Sequence, residues 1–408
     1  MISIEMFPAG NGDTILLGLD DTYILIDGGY TSTYRDHLKP RLAELSRAGK
    51  RLSKFVVTHI DADHITGAMS FIEENGNARN PAIIPIDEVW FNSYRHLQFK
   101  EKEHGTLEKE PPQLGPRAKK SIEADAGDSY VSFDQGSSLG SLLLQNEYAW
   151  NTSFNGKAVK TDAPTPLKMG DEVLFTILGP TTDALDKLGD DWRKSLMKLY
   201  DGKINDDSFF DDAFEGMTLA AHQAETNKKL TSTEKLVAGG RDWIQAESIL
   251  WKTEDSSLPN GSSITFLIEY KGKKITFPGD AIPSHVLPLI KNNFEEGGKP
   301  FSVDVLKVAH HGAWPNNNPE LFDHIQAQYY LISTNGFRHR HPHLSTLASI
   351  IQSNGNPSQK NIVFNYRQRN RFQHIDIEEI KNKYNFKCFW PDVDEFGQGK
   401  DGYYLLTI

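Results

Sequence analysis

Short apolar stretches bounded by turn residues recur along the chain and predict a protein rich in β-strands. At the N-terminus Ile2, Ile4 and Met6 alternate with polar residues, and two apolar runs, 14–19 and 22–27, follow a Gly-Asn-Gly turn. Similar patterns predict further strands at 54–58, 88–91, 172–178, 263–270, 274–277, 303–308, 329–333, 361–365 and 403–408. Helices are predicted at 37–49, where leucines recur at helical spacing before a glycine, and at 344–351.

Two long segments, at about 96–165 and 181–258, interrupt this pattern. The first mixes charged, glycine-rich and proline-rich pieces, and the second contains a mainly acidic run between Asp183 and Glu215. We interpret that run as a solvated helical face. The sequence therefore predicts one domain over residues 1–408 with two insertions, which form a layer appended outside the sheets and shape the substrate mouth or a partner surface.

The composition excludes several classes of protein. Hydrophobic residues make up 38% of the chain, which is enough for a large core. Acidic residues outnumber basic ones 55 to 44, and this balance argues against a protein that coats duplex DNA without specificity. The single cysteine excludes intrachain disulfides and clusters held by several thiolates. With no secretory signal or apolar run long enough to span a bilayer, we expect a soluble cytoplasmic protein that does not bind membranes.

Four potential metal ligands lie within six residues, directly after the predicted strand 54–58. They are His59, Asp61, Asp63 and His64. Imidazole and carboxylate groups together suit Zn²⁺, Mn²⁺ or iron, and the oxygen donors shift the preference toward Mn²⁺ or Mg²⁺. A loop at the end of a strand leaves these side chains free to converge on one point, so this segment predicts a metal site.

Other candidate ligands follow apolar strands in the same way. Asp27, Asp280 and the pair His310 and His311 each come directly after a predicted strand. Taken singly, the two aspartates could equally be turn or cap residues. Together with the motif at 59–64 they favour a site built at strand ends. His311 remains open between a ligand, a substrate contact and a structural donor.

The motif His59-x-Asp61-x-Asp63-His64, with Asp27-Gly-Gly upstream, resembles the metallo-β-lactamase superfamily. The usual superfamily pattern is His-x-His-x-Asp-His, and the aspartate at 61 is similar instead to the hydrolase domain of the competence protein ComEC. Further similar features are Asn260-Gly-Ser-Ser263, Phe277-Pro-Gly-Asp280, Lys307-Val-Ala-His310-His311-Gly312 and Ser333-Thr-Asn335-Gly before His341-Pro-His343. The resemblance covers residues 1–95, 166–180 and 259–408.

The resemblance implies an α+β fold, a four-layer αβ/βα sandwich in which two β-sheets pack face to face with helices outside. Two divalent ions, Mn²⁺ or Zn²⁺, would lie at one edge. His59 and Asp61 would hold one ion, Asp63, His64 and His310 would hold the other, and Asp280 would bridge them. Asp27 would hydrogen-bond a ligand histidine. The third-motif histidine of the superfamily has no obvious counterpart, and Asn260, Ser262 or Ser263 would occupy its region.

By the same resemblance, the expected activity is hydrolysis of a phosphodiester in nucleic acid or a nucleotide. Asp63 would orient the attacking water, and His341 or His343 would protonate the leaving group or contact phosphate. Asn335, Arg338 and Arg340 are candidate substrate contacts. Two alternatives stay open: hydrolysis of another ester, an amide or a lactone, and a binding module that docks protein partners through its insertions, for example in a defence system. The sequence does not indicate an oligomeric state.

Overall fold

The computed structural model describes residues 1–98, 128–162, 166–199, 210–213, 244, 253–353, 359–367, 376–392 and 403–408. The strands are β1 (Ile2–Met6), β2 (Ile15–Leu19), β3 (Thr22–Ile26), β4 (Leu52–Val56), β5 (Val89–Trp90), β6 (Leu167–Met169), β7 (Val173–Gly179), β8 (Thr265–Tyr270), β9 (Lys273–Phe277), β10 (Phe301–Lys307), β11 (Ile325–Ile332), β12 (Lys360–Phe364), β13 (Phe386–Phe389) and β14 (Tyr404–Thr407). The helices are α1 (Thr31–Thr33), α2 (Lys39–Arg47), α3 (Ala62–Asn75), α4 (Asp128–Gln145), α5 (Thr182–Leu199), α6 (Leu258–Gly261), α7 (Pro283–Asn293), α8 (Pro319–His324), α9 (Leu344–Gln352) and α10 (Glu378–Tyr384).

The strands form two sheets. The first has the order β14-β1-β2-β3-β4-β5, and the second has the order β13-β12-β11-β10-β9-β8-β7-β6. Strands β3, β4 and β5 run parallel in the first sheet, and β9 to β13 run parallel in the second. Because parallel strands end at the same edge, the segments that follow β3, β4, β9 and β10 are brought to common edges.

Side chains from both sheets fill the space between them, as Ile4, Ile24, Phe266 and Phe277 illustrate. A second buried cluster lies between the outer face of the first sheet and helices α2 to α5. A third lies between the outer face of the second sheet and α7, α8 and α9. The predicted four-layer α+β sandwich is confirmed.

The predicted strands are present with shifted ends; β11, for example, begins at Ile325 instead of Tyr329. Several elements were not predicted: the strands β6 and β13 and the helices α1, α3, α6, α7, α8 and α10. Pro288 lies inside α7, so the local sequence does not show an uninterrupted helical pattern there. Strands β6 and β13 are short edge strands whose residues are mostly only partly buried or exposed, and their apolar signal is correspondingly weak.

In the described parts of the two predicted insertions, no residue belongs to a strand of either sheet, although Trp150 pairs with Val89 in an isolated β-bridge. The exposed positions of α5 are charged, but its buried face, which includes Leu185 and Trp192, packs on the first sheet's helical layer. Phe154 reaches the core between the sheets. The division into one domain and two insertions stays a prediction. Among the described residues, no helix is long and apolar enough to cross a bilayer.

Candidate metal centre

The candidate ligands meet at the edge where β3, β4, β9 and β10 end. The close packing of α3 on the loop after β3 helps to bring them there. A Cβ atom on Gly28 would lie only 2.1 Å from the backbone nitrogen of Ala68. The Gly28 N–H donates to the His64 carbonyl at 2.9 Å. The first turn of α3 is thereby fixed beside Asp27.

One carboxylate oxygen is common to four imidazole rings. Asp280 Oδ2 lies 3.5–3.7 Å from the Nε2 atoms of His59, His64, His310 and His311. The Asp280 side chain is buried, and the Asp280 backbone N–H donates a hydrogen bond to Ser263 Oγ at 3.1 Å. Asp280 therefore marks the centre of the site.

Acceptors at Nδ1 orient the rings of His59 and His64. Asp27 Oδ2 accepts from His64 Nδ1 at 2.8 Å and from the Thr58 hydroxyl at 2.8 Å. Because the Thr58 hydroxyl donates to Asp27, it can accept from His59 Nδ1, which lies 3.0 Å away. Both histidines thus carry a proton on Nδ1 and direct Nε2 inward.

His310 and His311 are oriented by the same principle. His310 Nδ1 donates to Asn316 Oδ1 at 2.8 Å, and His311 Nδ1 donates to the Ser333 carbonyl at 3.1 Å. Both residues have left-handed backbone angles, with φ of 44° and 54°. This sparsely populated conformation costs energy. Here it lets two consecutive side chains face the same carboxylate.

Three further carboxylates surround this core. Asp63 Oδ2 lies 3.5 Å from His311 Nε2 and accepts from Asn11 Nδ2 at 2.9 Å. Asp61 Oδ2 lies 3.8 Å from His59 Nε2, and its other oxygen accepts from Ser132 of α4 at 3.2 Å.

The third carboxylate, Asp13, was not predicted as a ligand. Its Oδ1 lies 3.3 Å from His311 Nδ1, and Lys307 donates to its Oδ2 at 2.6 Å. The sequence showed only a turn around this residue, because its partners come from the distant strand β10. The structure thus brings together Asp13, from the start of the chain, and His311, whose role the sequence left open.

The electrostatics reflect this crowding of opposite charges. Burial, reinforced by the nearby His64, lowers the pKa of His59 to about 4. Burial and the neighbouring Asp63 raise the pKa of Asp61 to about 6. Burial alone would lower the pKa of His311, but Asp13 and Asp280 raise it to about 9. Carboxylates in this site therefore attract positive charge, which a proton or a metal ion can supply.

The donor set fits divalent metal ions. The inward Nε2 atoms of His59, His64 and His311 and Asp280 Oδ1 are buried and make no hydrogen bond of ordinary geometry. Among the residues that the structure describes, two groups have ligand atoms within 4.8 Å of one another: His59, His64 and Asp280, and Asp13, His64 and His311. Buried nitrogen and oxygen atoms without partners are costly unless an ion satisfies them.

Residues 7–134 match the Metallo-beta-lactamase superfamily. A domain of this superfamily is therefore found in the chain, and its span contains Asp13, Asp27 and the 59–64 motif. No match was found among curated proteins. The superfamily match and the His/Asp groups support a metal-dependent hydrolase.

His310 and His311 differ in their neighbours. His311, not His310, approaches Asp63, whereas His310 is bordered by Asn260, whose Nδ2 lies 3.4 Å from its Nδ1. Asn260 also donates to Asp255 at 2.6 Å, and its own Oδ1 is buried without a hydrogen bond. Asn260 therefore borders the ring of His310, and its assignment to the third-motif region stays a prediction.

The remaining predicted residues lie on the segment after β11. His341 is buried, with its ring 5.4 Å from that of His310 and 6.4 Å from that of His311. The ring of His343 has a structural role, because its Nδ1 accepts a hydrogen bond from the Trp314 N–H at 2.8 Å. This hydrogen bond removes Nδ1 from proton transfer, so His341 is the better placed of the two predicted catalytic histidines.

The three predicted substrate residues lie nearby on the same segment. Arg338 and Arg340 are exposed. Asn335 makes hydrogen bonds that hold the loop. Its backbone N–H donates to the Gly10 carbonyl at 2.7 Å, and its side-chain Oδ1 accepts from the Phe337 N–H at 2.9 Å. The arginines therefore lie at the surface, whereas Asn335 shapes the loop that carries them.

Proposed function

We propose that this protein is a metal-dependent phosphodiesterase, similar to the ComEC hydrolase domain, that acts on nucleic acid or a nucleotide. The observation that carries the hydrolase part is the convergence of four Nε2 atoms on Asp280 Oδ2. Four rings held through Nδ1 around one buried carboxylate form a preorganised ligand set.

In this proposal two divalent ions are held by the residues around Asp280. The ligand set is His59, Asp61, Asp63, His64, Asp280, His310 and His311, with Asp13 at its border. Ions bound there would activate water and neutralise charge on the reacting phosphate. Asp61 adds an oxygen donor where the superfamily usually has a histidine, so we propose that Mn²⁺ is preferred over Zn²⁺.

The chain's own groups supply orientation and proton transfer. The Asp63 carboxylate borders His311 and is held by Asn11, so it can accept a hydrogen bond from the attacking water. Burial and the charges of His310 and His311 hold the pKa of His341 well below its usual value, so its ring is neutral at pH 7. A neutral ring carries one N–H, which can donate to a phosphate oxygen. We therefore assign His341 to phosphate contact rather than to acid catalysis.

The phosphodiester assignment is supported by the charge around the site. Arg338 and Arg340 lie on the loop before His341, in a chain whose net charge is −11. Guanidinium groups bind phosphate with well-defined geometry, whereas a neutral ester or lactone gains little from them. A cytoplasmic location and a protein partner bound through the insertions also remain proposals.

The test is elemental analysis of the purified protein, followed by hydrolysis assays with DNA, RNA, nucleotides, esters and lactones, each with Mn²⁺, Mg²⁺ and Zn²⁺. We expect bound divalent metal and turnover of a phosphodiester that is fastest with Mn²⁺. Asp280→Asn should lose metal, whereas the control Asp304→Asn should keep it, because Asp304 lies on β10 and binds Lys273 away from the site. Turnover of esters or lactones alone would contradict the substrate assignment, and wild-type metal content in Asp280→Asn would contradict the metal site.

A further inference from the structure

Phe337 is the most exposed large apolar residue in the described part of the chain. Its exposed fraction is 88%, against 79% for Met1 at the N-terminus, 51% for Leu405 and 42% for Ile377. A single exposed apolar side chain is common on protein surfaces, so exposure alone does not indicate a function. The metal centre and its ligands make no use of this ring, and its neighbours therefore decide what it can bind.

The backbone that presents Phe337 is held in place. Asn335 accepts from the Phe337 N–H at 2.9 Å, and Thr334 Oγ1 accepts from the Gly336 N–H at 3.1 Å. The Asn335 N–H in turn donates to the Gly10 carbonyl, which ties the loop to the turn after β1. A ring displayed on a braced loop loses little conformational entropy when it binds a partner.

A short series of side chains connects this loop to the metal centre. Arg338 lies near the Tyr30 side chain. The Tyr30 hydroxyl donates to Asn11 Oδ1 at 3.2 Å, and Asn11 Nδ2 donates to Asp63 Oδ2 at 2.9 Å. A group stacked on Phe337 would therefore be separated from the candidate water-orienting carboxylate by only a few side chains.

Aromatic rings approach the loop from the centre as well. The rings of His311 and His341 stack with an interplanar angle of 20°, and those of His341 and His339 stack at 5.6 Å with an angle of 29°. Phe337 lies two residues before His339 along the chain. The buried ligand rings are thus followed by an exposed segment with aromatic and basic side chains.

We propose that Phe337 is a stacking platform for an unpaired nucleobase, so that the site takes single-stranded nucleic acid. This inference rests on the proposed function. Each nucleobase has a flat face to stack on Phe337 and a neighbouring phosphate that Arg338 or Arg340 can bind. A protein partner would be expected to cover a wider apolar patch, whereas the residues that follow Phe337 are basic. Bases in a duplex are already stacked and cannot use the ring.

The test measures binding separately from turnover. A fluorescent thymidine hexamer and an abasic oligomer of the same length are titrated into protein that carries Asp63→Asn, so that cleavage does not interfere. Phe337→Ala should weaken binding of the hexamer by about 5- to 150-fold, the range measured for single stacked bases. Phe337→Trp should retain binding, Phe337→Leu should behave like Phe337→Ala, and the abasic oligomer should not respond to any of them. Leu405→Ala, an exposed apolar residue on β14, is the matched control and should change nothing.

Three results would overturn the inference: unchanged hexamer binding in Phe337→Ala, equal losses for the abasic oligomer, or full binding by Phe337→Leu, since that would indicate apolar contact without stacking. The proposed function is tested apart from this, by cleavage of the hexamer by the protein without the Asp63 substitution. Cleavage with binding that is independent of Phe337 would defeat only the inference. Binding that depends on Phe337 without cleavage of any phosphodiester would defeat only the proposed function.

Discussion

Substitution of Asp27 by asparagine tests how the ligand set is built. Asp27 is 1% exposed; one carboxylate oxygen accepts from the Thr58 N–H at 2.7 Å, and the other accepts from His64 Nδ1 at 2.8 Å. Asparagine has the same shape but replaces one oxygen by an NH₂ group. Whichever way the amide is turned, the NH₂ group faces a donor, either the Thr58 N–H or His64 Nδ1.

The ring of His64 can relieve this conflict by giving up the proton on Nδ1. With the NH₂ group next to it, Nδ1 accepts a hydrogen bond, and the proton that the ring keeps lies on Nε2, which donates to Asp280. The protein without metal therefore loses about 1.5–3 kcal/mol at most, the contribution of a hydrogen bond to a charged group. The affinity for metal is lowered more specifically, because a protonated Nε2 has no lone pair for an ion. Loss of such an outer hydrogen bond typically lowers metal affinity about 10- to 100-fold.

The assay compares two quantities for the same protein. Metal affinity is measured by competition with a chromophoric chelator, and the free energy of unfolding is measured in urea with metal removed. Asp304→Asn is the matched control, because Asp304 also accepts from a backbone N–H, that of Lys274 at 2.8 Å, and from a lysine. We expect only Asp27→Asn to weaken metal binding. Wild-type affinity in Asp27→Asn would refute the idea that Nδ1 acceptors orient the ligands.

Three further predictions follow from the same geometry. Asp63→Asn should lower turnover by at least about 100-fold with an unchanged circular dichroism spectrum, and full activity of this variant would contradict the role of Asp63 in orienting water. His341→Ala should lower turnover at unchanged metal content. Removal of metal by a chelator should lower the free energy of unfolding by about 2.7 kcal/mol relative to protein with metal at 100 times its Kd, and identical unfolding curves would show that the site binds no ion. Lys307→Met should lower the free energy of unfolding in urea by up to about 3–5 kcal/mol, because the buried Asp13 loses the lysine charge and keeps His311 beside it. If Asp13→Asn in the same chain does not restore part of this loss, the pair is not the cause.

The sequence was informative wherever the signal is local. Alternation of apolar and polar residues reports which face of a strand is buried, so the strands that lead to His59, Asp280 and His310 could be predicted from their own residues. The motif at 59–64 predicted a metal site for the same reason, since its ligands are close along the chain. The fold followed from the resemblance that these segments carry.

Contacts between distant segments could not be predicted in this way. Asp13 lies in what the sequence showed only as a turn, and it becomes part of the site because Lys307 and His311, almost three hundred residues later, lie beside it. Ser132 reaches Asp61 from a helix within a segment whose own pattern was too weak to place it. No local pattern encodes such pairs, because the partner is absent from the window in which periodicity is measured.

The sequence by itself therefore determined most of the strands and the ends at which polar side chains emerge, and its resemblance to a known superfamily indicated the layers. The tertiary structure alone decided which of those side chains face one another. Three histidines of the second half of the chain illustrate this. His311 faces Asp280, and His341 is buried with its ring 6.4 Å from that of His311. His343 instead accepts a hydrogen bond from the Trp314 backbone N–H. The physical reason is that burial is read from neighbours along the chain, whereas the direction of a ring is set by backbone angles and hydrogen bonds that exist only in the folded protein.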